Sequence, residues 1–236
     1  MSGLYIDIHT HHDFLNRPEV ISIKNILMRE AYQYVPAEGL FSIGLHPWES
    51  DTVILNHQLL EKIIARPEII AVGECGLDRL RGADLKKQTG LFIQQALMAD
   101  THNKPLFIHC VRAWQEIIAL KTDIRPKAPW MIHGYRGKAR VAEQLLDGGF
   151  YLSFGENILW MNPVLSGILK ATPVDRLFLE TDEGSRPIEE VYRAAAEIKS
   201  LSLDALQTCL AQNFIKVFGT HGTSRMAPTD GTADRI

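Results

Sequence analysis

The sequence predicts a parallel α/β barrel of the TIM type, irregular in its first third. Three observations carry that expectation. Short apolar runs of strand length recur along the 236-residue chain and, in its later part, alternate with segments of helical period, the pattern of parallel βα units. Around seven such units favour closure into a barrel over an open doubly wound sheet, and no G-x-G-x-x-G opens a helix. Most of the runs end in His, Glu or Asp, and strand C-terminal ends are where a parallel barrel gathers its reactive groups.

In chain order the strand-like runs are GLYIDIH (3–9), GLFSIGLH (39–46), IIAVGE (69–74), PLFIHC (105–110), PWMIHGY (129–135), FYLSFG (150–155) and RLFLETD (176–182). Each has strand length, and most are too short for a helix. Helical periodicity appears in 84–103, in AWQEIIALK (113–121), in ARVAEQLLDGG (139–149) with its Gly stop, and in two final helices across 191–219, the second with Ser202 as N-cap. The segment 14–38 leaves little room for a full helix, so VISIKNILM is expected to form an extra strand or hairpin there. Residues 1–219 read as one domain. The tail 220–236 lacks apolar periodicity and is expected to be disordered.

Composition narrows the function classes. Hydrophobic residues make up 46% and charged residues 22%, with a net charge of −3, so no global basic field captures nucleic acid and any phosphate contact must be local or metal-assisted. Three cysteines, Cys75, Cys110 and Cys209, form no C-x-x-C pair, which fits a reducing compartment. No signal-peptide pattern opens the chain and no apolar run approaches a membrane span. A cytoplasmic monomer with no membrane partner is the expectation.

His9 and His11 end the first run, and His46, Glu74, His109, His133 and Asp182 end later ones. Residues i and i+2 of a strand share a face, so His9 and His11 are expected on the inner face with Asp7 one layer deeper, Ile6 and Ile8 facing the helices, and Asp182 aligned with Glu180 and Phe178. A lone strand-end His is ordinarily a hydrogen-bonded surface or core residue; the joint pattern is what points to a metal. His9, His11, Glu74, His109, His133 and Asp182 offer four imidazoles and two carboxylates, a set suited to Zn²⁺, Mn²⁺, Fe²⁺ or Ni²⁺ and poorly to Ca²⁺. Six donors exceed one tetrahedral ion and suit two ions sharing a carboxylate. Cys75 and Cys110 each neighbour a candidate ligand, so they point the other way, as small buried apolar groups.

The motifs DIHTHHD, IGLHPWE, GECGLD, PLFIHC, IHGYRG and ETD, in that order across residues 4–219, resemble the TatD family of metal-dependent deoxyribonucleases, barrels of the metallo-dependent hydrolase group with two divalent ions. The resemblance implies that His9 and His11 hold a first ion with Asp182, that Glu74 bridges, and that His109 and His133 hold a second. It also implies that Asp182 orients or deprotonates the attacking water and that His46 touches the substrate phosphate. DNA or another phosphoester is then the expected substrate, cut by a two-metal-activated water, with Mg²⁺ a further candidate ion. Arg112, one place later than the family's arginine, is a candidate phosphate contact, as are Arg79, Arg136 and Lys138; Tyr135, Trp114 or Trp160 could stack on bases. The alternative is a two-metal hydrolase of C–N or carboxylic ester bonds: an amidohydrolase, lactonase or aminoacyl-tRNA deacylase.

Overall fold

The computed structural model describes residues 3–13, 17–31, 38–160 and 162–219. Eight strands run parallel in sequential order: β1 (Tyr5–Thr10), β2 (Val20–Leu27), β3 (Leu40–Gly44), β4 (Ile69–Asp78), β5 (Leu106–Val111), β6 (Trp130–Ile132), β7 (Tyr151–Phe154) and β8 (Leu177–Leu179). Helices follow or flank them: α1 (Met28–Ala31), α2 (His57–Ile64), α3 (Leu85–Thr101), α4 (Trp114–Ile124), α5 (Ala139–Asp147), α6 (Pro163–Ala171), α7 (Ile188–Lys199) and α8 (Leu203–Phe218). β1 and β8 meet only at their C-terminal ends, where Asp182 N donates to His9 O (2.9 Å), His11 N donates to Asp182 O (3.1 Å), and Thr10 forms a parallel bridge with Asp182. This is a nearly closed TIM-type barrel.

The extra strand expected in 14–38 is β2, which pairs in parallel with both β1 and β3 and so is no hairpin. It passes straight into the single turn α1. No helix occurs among the described residues between β1 and β2, which is the irregularity of the first third. β4 runs four residues past Glu74, because pairing of Gly76, Leu77 and Asp78 with His109, Cys110 and Val111 carries the ladder onward. α2 and α6 are additional helices, each started by an asparagine side chain: Asn56 accepts from Leu59 N, and Asn162 accepts from Val164 N and Leu165 N with Pro163 first in the helix. Ser202 caps α8 as expected. The tail 220–236 lies outside the described residues.

Two apolar clusters follow from strand alternation. The larger fills the layer between sheet and helices and contains Cys75 and Cys110, as their place beside candidate ligands requires. The smaller fills the barrel with Ile21, Ile23, Phe107, Met131, Tyr151 and Phe178, and α8 closes it with Phe214, Val217 and Phe218. Phe218 stands edge-on to Phe107 and Phe178 at centroid distances of 6.0 and 6.2 Å. Burying a side chain of this size contributes about 1.5–3 kcal/mol, so the barrel floor is held largely by α8.

One expectation fails at β1. Ile6 and Ile8 belong to the interior cluster, while Asp7 turns outward, accepting hydrogen bonds from Thr181 N (2.9 Å) and Thr181 Oγ1 (2.7 Å). The cause is a register shift: Asp7 pairs with Ser22 and Thr10 with Lys24, three steps on β1 against two on β2. A bulge of this kind inverts the alternation, so Ile8 and His9 both face inward.

Candidate metal centre

Glu74 is the hub. It lies mid-β4, almost fully buried, and its two oxygens face different partners. Around Oε2 are His9 Nε2 (3.4 Å) and His11 Nε2 (3.5 Å), and both imidazoles also face Asp182 Oδ1, at 3.7 and 3.6 Å. Around Oε1 are His133 Nε2 (2.6 Å), His109 Nδ1 (2.8 Å) and His46 Nε2 (3.1 Å). Residues from β1, β4 and β5, and from the ends of β3, β6 and β8, thus converge on one carboxylate. All six predicted ligands are brought together. His46, expected at the substrate, is buried against Glu74 as well, and its Nδ1 accepts from Trp48 N.

Local backbone geometry aims these groups. Asp182 has φ 54°, a left-handed conformation that is costly for a non-glycine residue. Its backbone hydrogen bonds with His9 and His11 hold it there and turn its partly exposed carboxylate toward the side chains of those two residues. Glu74 N donates to Asn25 Oδ1 (2.8 Å), which also accepts from Ser42 Oγ (3.0 Å), so β2, β3 and β4 are tied beneath the hub. At Gly76 a Cβ would come within 1.9 Å of His109 O, so only glycine lets β4 and β5 approach this closely beside the site.

Burial alone would push the Glu74 carboxyl up. The attraction of His133 and hydrogen bonds from His109, His11 and His133 override it and hold that carboxyl well below its usual range. Burial likewise opposes charge on His133, but Glu74 and Glu180 raise it well above the ordinary imidazole value. His46 is lowered, because burial outweighs its contact with Glu74.

His9 supplies the test of whether a metal fits. It is 0% exposed, and neither ring nitrogen has a hydrogen-bond partner among the described residues. Two unpaired nitrogens in a dry interior are unfavourable, and a cation between His9, His11, Glu74 Oε2 and Asp182 would satisfy one of them. The donor separations of 3.4–3.7 Å match the edge of a tetrahedron with bonds of about 2.0–2.2 Å. On the Oε1 side the spacing is that of direct imidazole–carboxylate hydrogen bonds. The residues present fit divalent metal on chemistry and burial alike.

Three further residues serve the site without having been singled out in the sequence. Glu180, wholly buried, faces His133 Nδ1 with Oε1 at 3.3 Å. Asp78 Oδ2 accepts from Trp48 Nε1 (2.6 Å) and lies 3.4 Å from His109 Nε2. Asn25 has been described. Their signals were faint: Glu180 and Asp78 stand two and four residues from a ligand inside ETD and GECGLD, and Asn25 shares the inward parity of Ile21 and Ile23.

The proposed substrate contacts divide. Arg112, with φ 56°, lines a separate groove of about 690 Å³ with Arg79, Arg136, Lys138 and Trp114. Tyr135 does not offer a face to a base. It is 1% exposed, its hydroxyl donates to Lys138 O (2.7 Å), and its ring packs on Trp114 and Phe154.

A parallel barrel carrying a histidine and carboxylate cluster at its strand ends defines a metal-dependent hydrolase. The sequence profile of the family described as TatD related DNase matches residues 22–219, and the chain belongs to that family. It is 27% identical to an uncharacterized metal-dependent hydrolase of Buchnera aphidicola subsp. Baizongia pistaciae, over 90% of this chain and 95% of that one. It is 32% identical to the 3'-5' ssDNA/RNA exonuclease TatD of Cronobacter turicensis, over 59% of this chain and 55% of the relative. The crystal structure of YjjV, a TatD homolog from Escherichia coli K12, superposes with a TM-score of 0.77 at 22% identity, covering 91% of this chain and 97% of that one. Among the described residues no helix is long and apolar enough to cross a membrane.

Proposed function

We propose that this protein is a two-metal phosphodiesterase acting on single-stranded nucleic acid, with DNA the first substrate to test. The observation that carries the reading is the division of labour at Glu74. One oxygen faces His9 and His11 beside Asp182, and the other faces His109, His133 and His46. Those two sets would hold the cations, with Glu74 between them.

Bound there, divalent cations supply an acidified water near neutral pH and neutralise the phosphodiester and the charge that grows on it. The chain's own residues do the rest. The Asp182 carboxylate, partly exposed at the mouth, would accept the proton of the attacking water. Buried Glu74 stays ionised and fixes the imidazoles around it. Glu180 and Asp78 hold His133 and His109 in orientation. Arg112, Arg136 and Lys138 offer positive charge to flanking phosphates in a groove walled by Trp114. That groove favours a phosphate-bearing substrate over those of an amidohydrolase or a lactonase, which need no such charge. The relative from Cronobacter turicensis named as a 3'-5' ssDNA/RNA exonuclease supports the same reading.

The purified chain with Mg²⁺ or Mn²⁺ is expected to shorten end-labelled single-stranded DNA, and Asp182→Asn to reduce the rate by about a thousandfold or more. Wild-type protein inert on DNA, RNA and simple phosphodiesters, yet active on esters or amides, would overturn the proposal.

A further inference from the structure

One wall of the metal cleft is chemically at odds with a phosphate. After β3 the chain makes a single 3-10 turn, Pro47–Glu49, whose N-cap is His46. Trp48 N donates to His46 Nδ1 (3.1 Å) and Glu49 N donates to His46 O (2.9 Å), so the backbone of both residues is tied to a residue that itself touches Glu74. Trp48 is 45% exposed, a large apolar surface to leave open. It is pinned by its Nε1–H on Asp78 and by the Arg81 guanidinium, 4.3 Å from the ring centroid, and its ring lines the cleft.

Glu49 lines the same cleft and is 6% exposed, yet neither carboxylate oxygen has a hydrogen-bond partner among the described residues. Its ion-pair contact is with Arg29 Nε at 3.6 Å, from a largely exposed side chain. A buried carboxylate is an acceptor only and requires O–H or N–H donors. Beside Arg29, which lines the same cleft, it offers a hydroxyl an acceptor and offers a phosphate none of the donors that a phosphate needs. The cleft measures about 300 Å³, the lower end of the range for small-molecule sites and room for a unit the size of one nucleotide.

We infer that Trp48 and Glu49 form a terminal-nucleoside subsite beside the metal centre, the indole stacking on the last base and the carboxylate accepting a hydrogen bond from the free sugar hydroxyl. This rests on the nuclease reading above and deepens it. The substrate class is a single strand whose end carries a hydroxyl, and a terminal phosphate is excluded by Glu49.

Binding separates the subsite from catalysis. The Mg²⁺-loaded full chain is titrated calorimetrically with thymidine 5'-monophosphate and 3'-monophosphate, which each keep a hydroxyl, with thymidine 3',5'-bisphosphate, which has none, and with base-less deoxyribose 5-phosphate. Wild type is expected to prefer the monophosphates about tenfold over both comparison ligands. Trp48→Ala should bring the preference over deoxyribose 5-phosphate close to one, with Trp48→Phe keeping most of it. Glu49→Gln, isosteric and uncharged, should bring the preference over the bisphosphate close to one. Wild-type ratios near one, or ratios unmoved by these substitutions, would overturn the inference. A protein that cleaves single strands but shows flat ratios loses the subsite alone. One that shows the ratios and cleaves no phosphodiester loses the nuclease reading and keeps the subsite.

Discussion

At the scale of single residues, the site is a set of imidazoles whose orientation is fixed from behind. Glu180 is the clearest case. It is wholly buried, its Oε1 lies 3.3 Å from His133 Nδ1, and a Cβ added at Gly134 would come 3.2 Å from that same oxygen. A carboxylate behind a metal-binding histidine sets its tautomer and raises its basicity, and losing it typically lowers metal affinity or activity about 10–100-fold. Glu180→Gln keeps an acceptor and should fall near the low end of that range; Glu180→Ala should fall near the high end. Titrating Mn²⁺ against the rate of hydrolysis would show it as a raised metal requirement, and an unchanged requirement in both variants would remove Glu180 from the site. The residues that converge on Glu74 were legible in the sequence, since strand-end His and Asp are conspicuous once the strands are drawn. Their supports were not, because Glu180, Asp78 and Asn25 look like ordinary polar residues until packing brings them to a ligand.

At the scale of elements, the strands that carry the ligands depend on polar ties across the sheet. Asn25 Oδ1 joins Ser42 of β3 to the Glu74 N–H of β4. Asn25→Ala leaves that buried N–H without an acceptor, a loss of about 1–3 kcal/mol, which urea denaturation would register as a lower midpoint. Between α4 and β7, Lys121 lies over the Phe150 ring at 4.1 Å, and burial, with repulsion from Arg176, lowers its ammonium to about 8. A lysine whose folded pKa lies below its unfolded value binds fewer protons when folded, so this group's contribution to stability rises with pH across roughly 8 to 10.5. Lys121→Met should remove that part of the slope. Denaturation midpoints at pH 7.5 and 10 that change identically in wild type and variant would contradict it. Alternation placed most inward residues correctly, but the phase of β1 was hidden: nothing in YIDIHT marks the bulge that turns Ile8 and His9 to the same side. The length of β4 was hidden too, because Gly73, Glu74 and Gly76 break the apolar run while pairing with β5 continues to Asp78.

At the scale of the whole molecule, the barrel closes where the candidate ligands are. β1 and β8 are joined by the backbone bonds between His9, His11 and Asp182, and the same three residues turn their side chains to one focus with Glu74. The seam and the site are therefore one structure, and a cation held there would cross-link strands at opposite ends of the sequence. Metal binding should then act on global stability. A ligand at a hundredfold excess over its Kd stabilises by about 2.7 kcal/mol, and for a domain of this size each kcal/mol shifts Tm by about 2–4 °C. Saturating Mn²⁺ should accordingly raise Tm by roughly 5–10 °C over the chelated protein. Asp182→Asn should lose most of that rise, since it removes a negative charge that faces the cation and leaves the backbone bonds in place. His57→Ala, at the exposed start of α2, should keep it. Equal shifts in all three proteins would mean that the cation stabilises the barrel from somewhere other than the junction of β1 and β8.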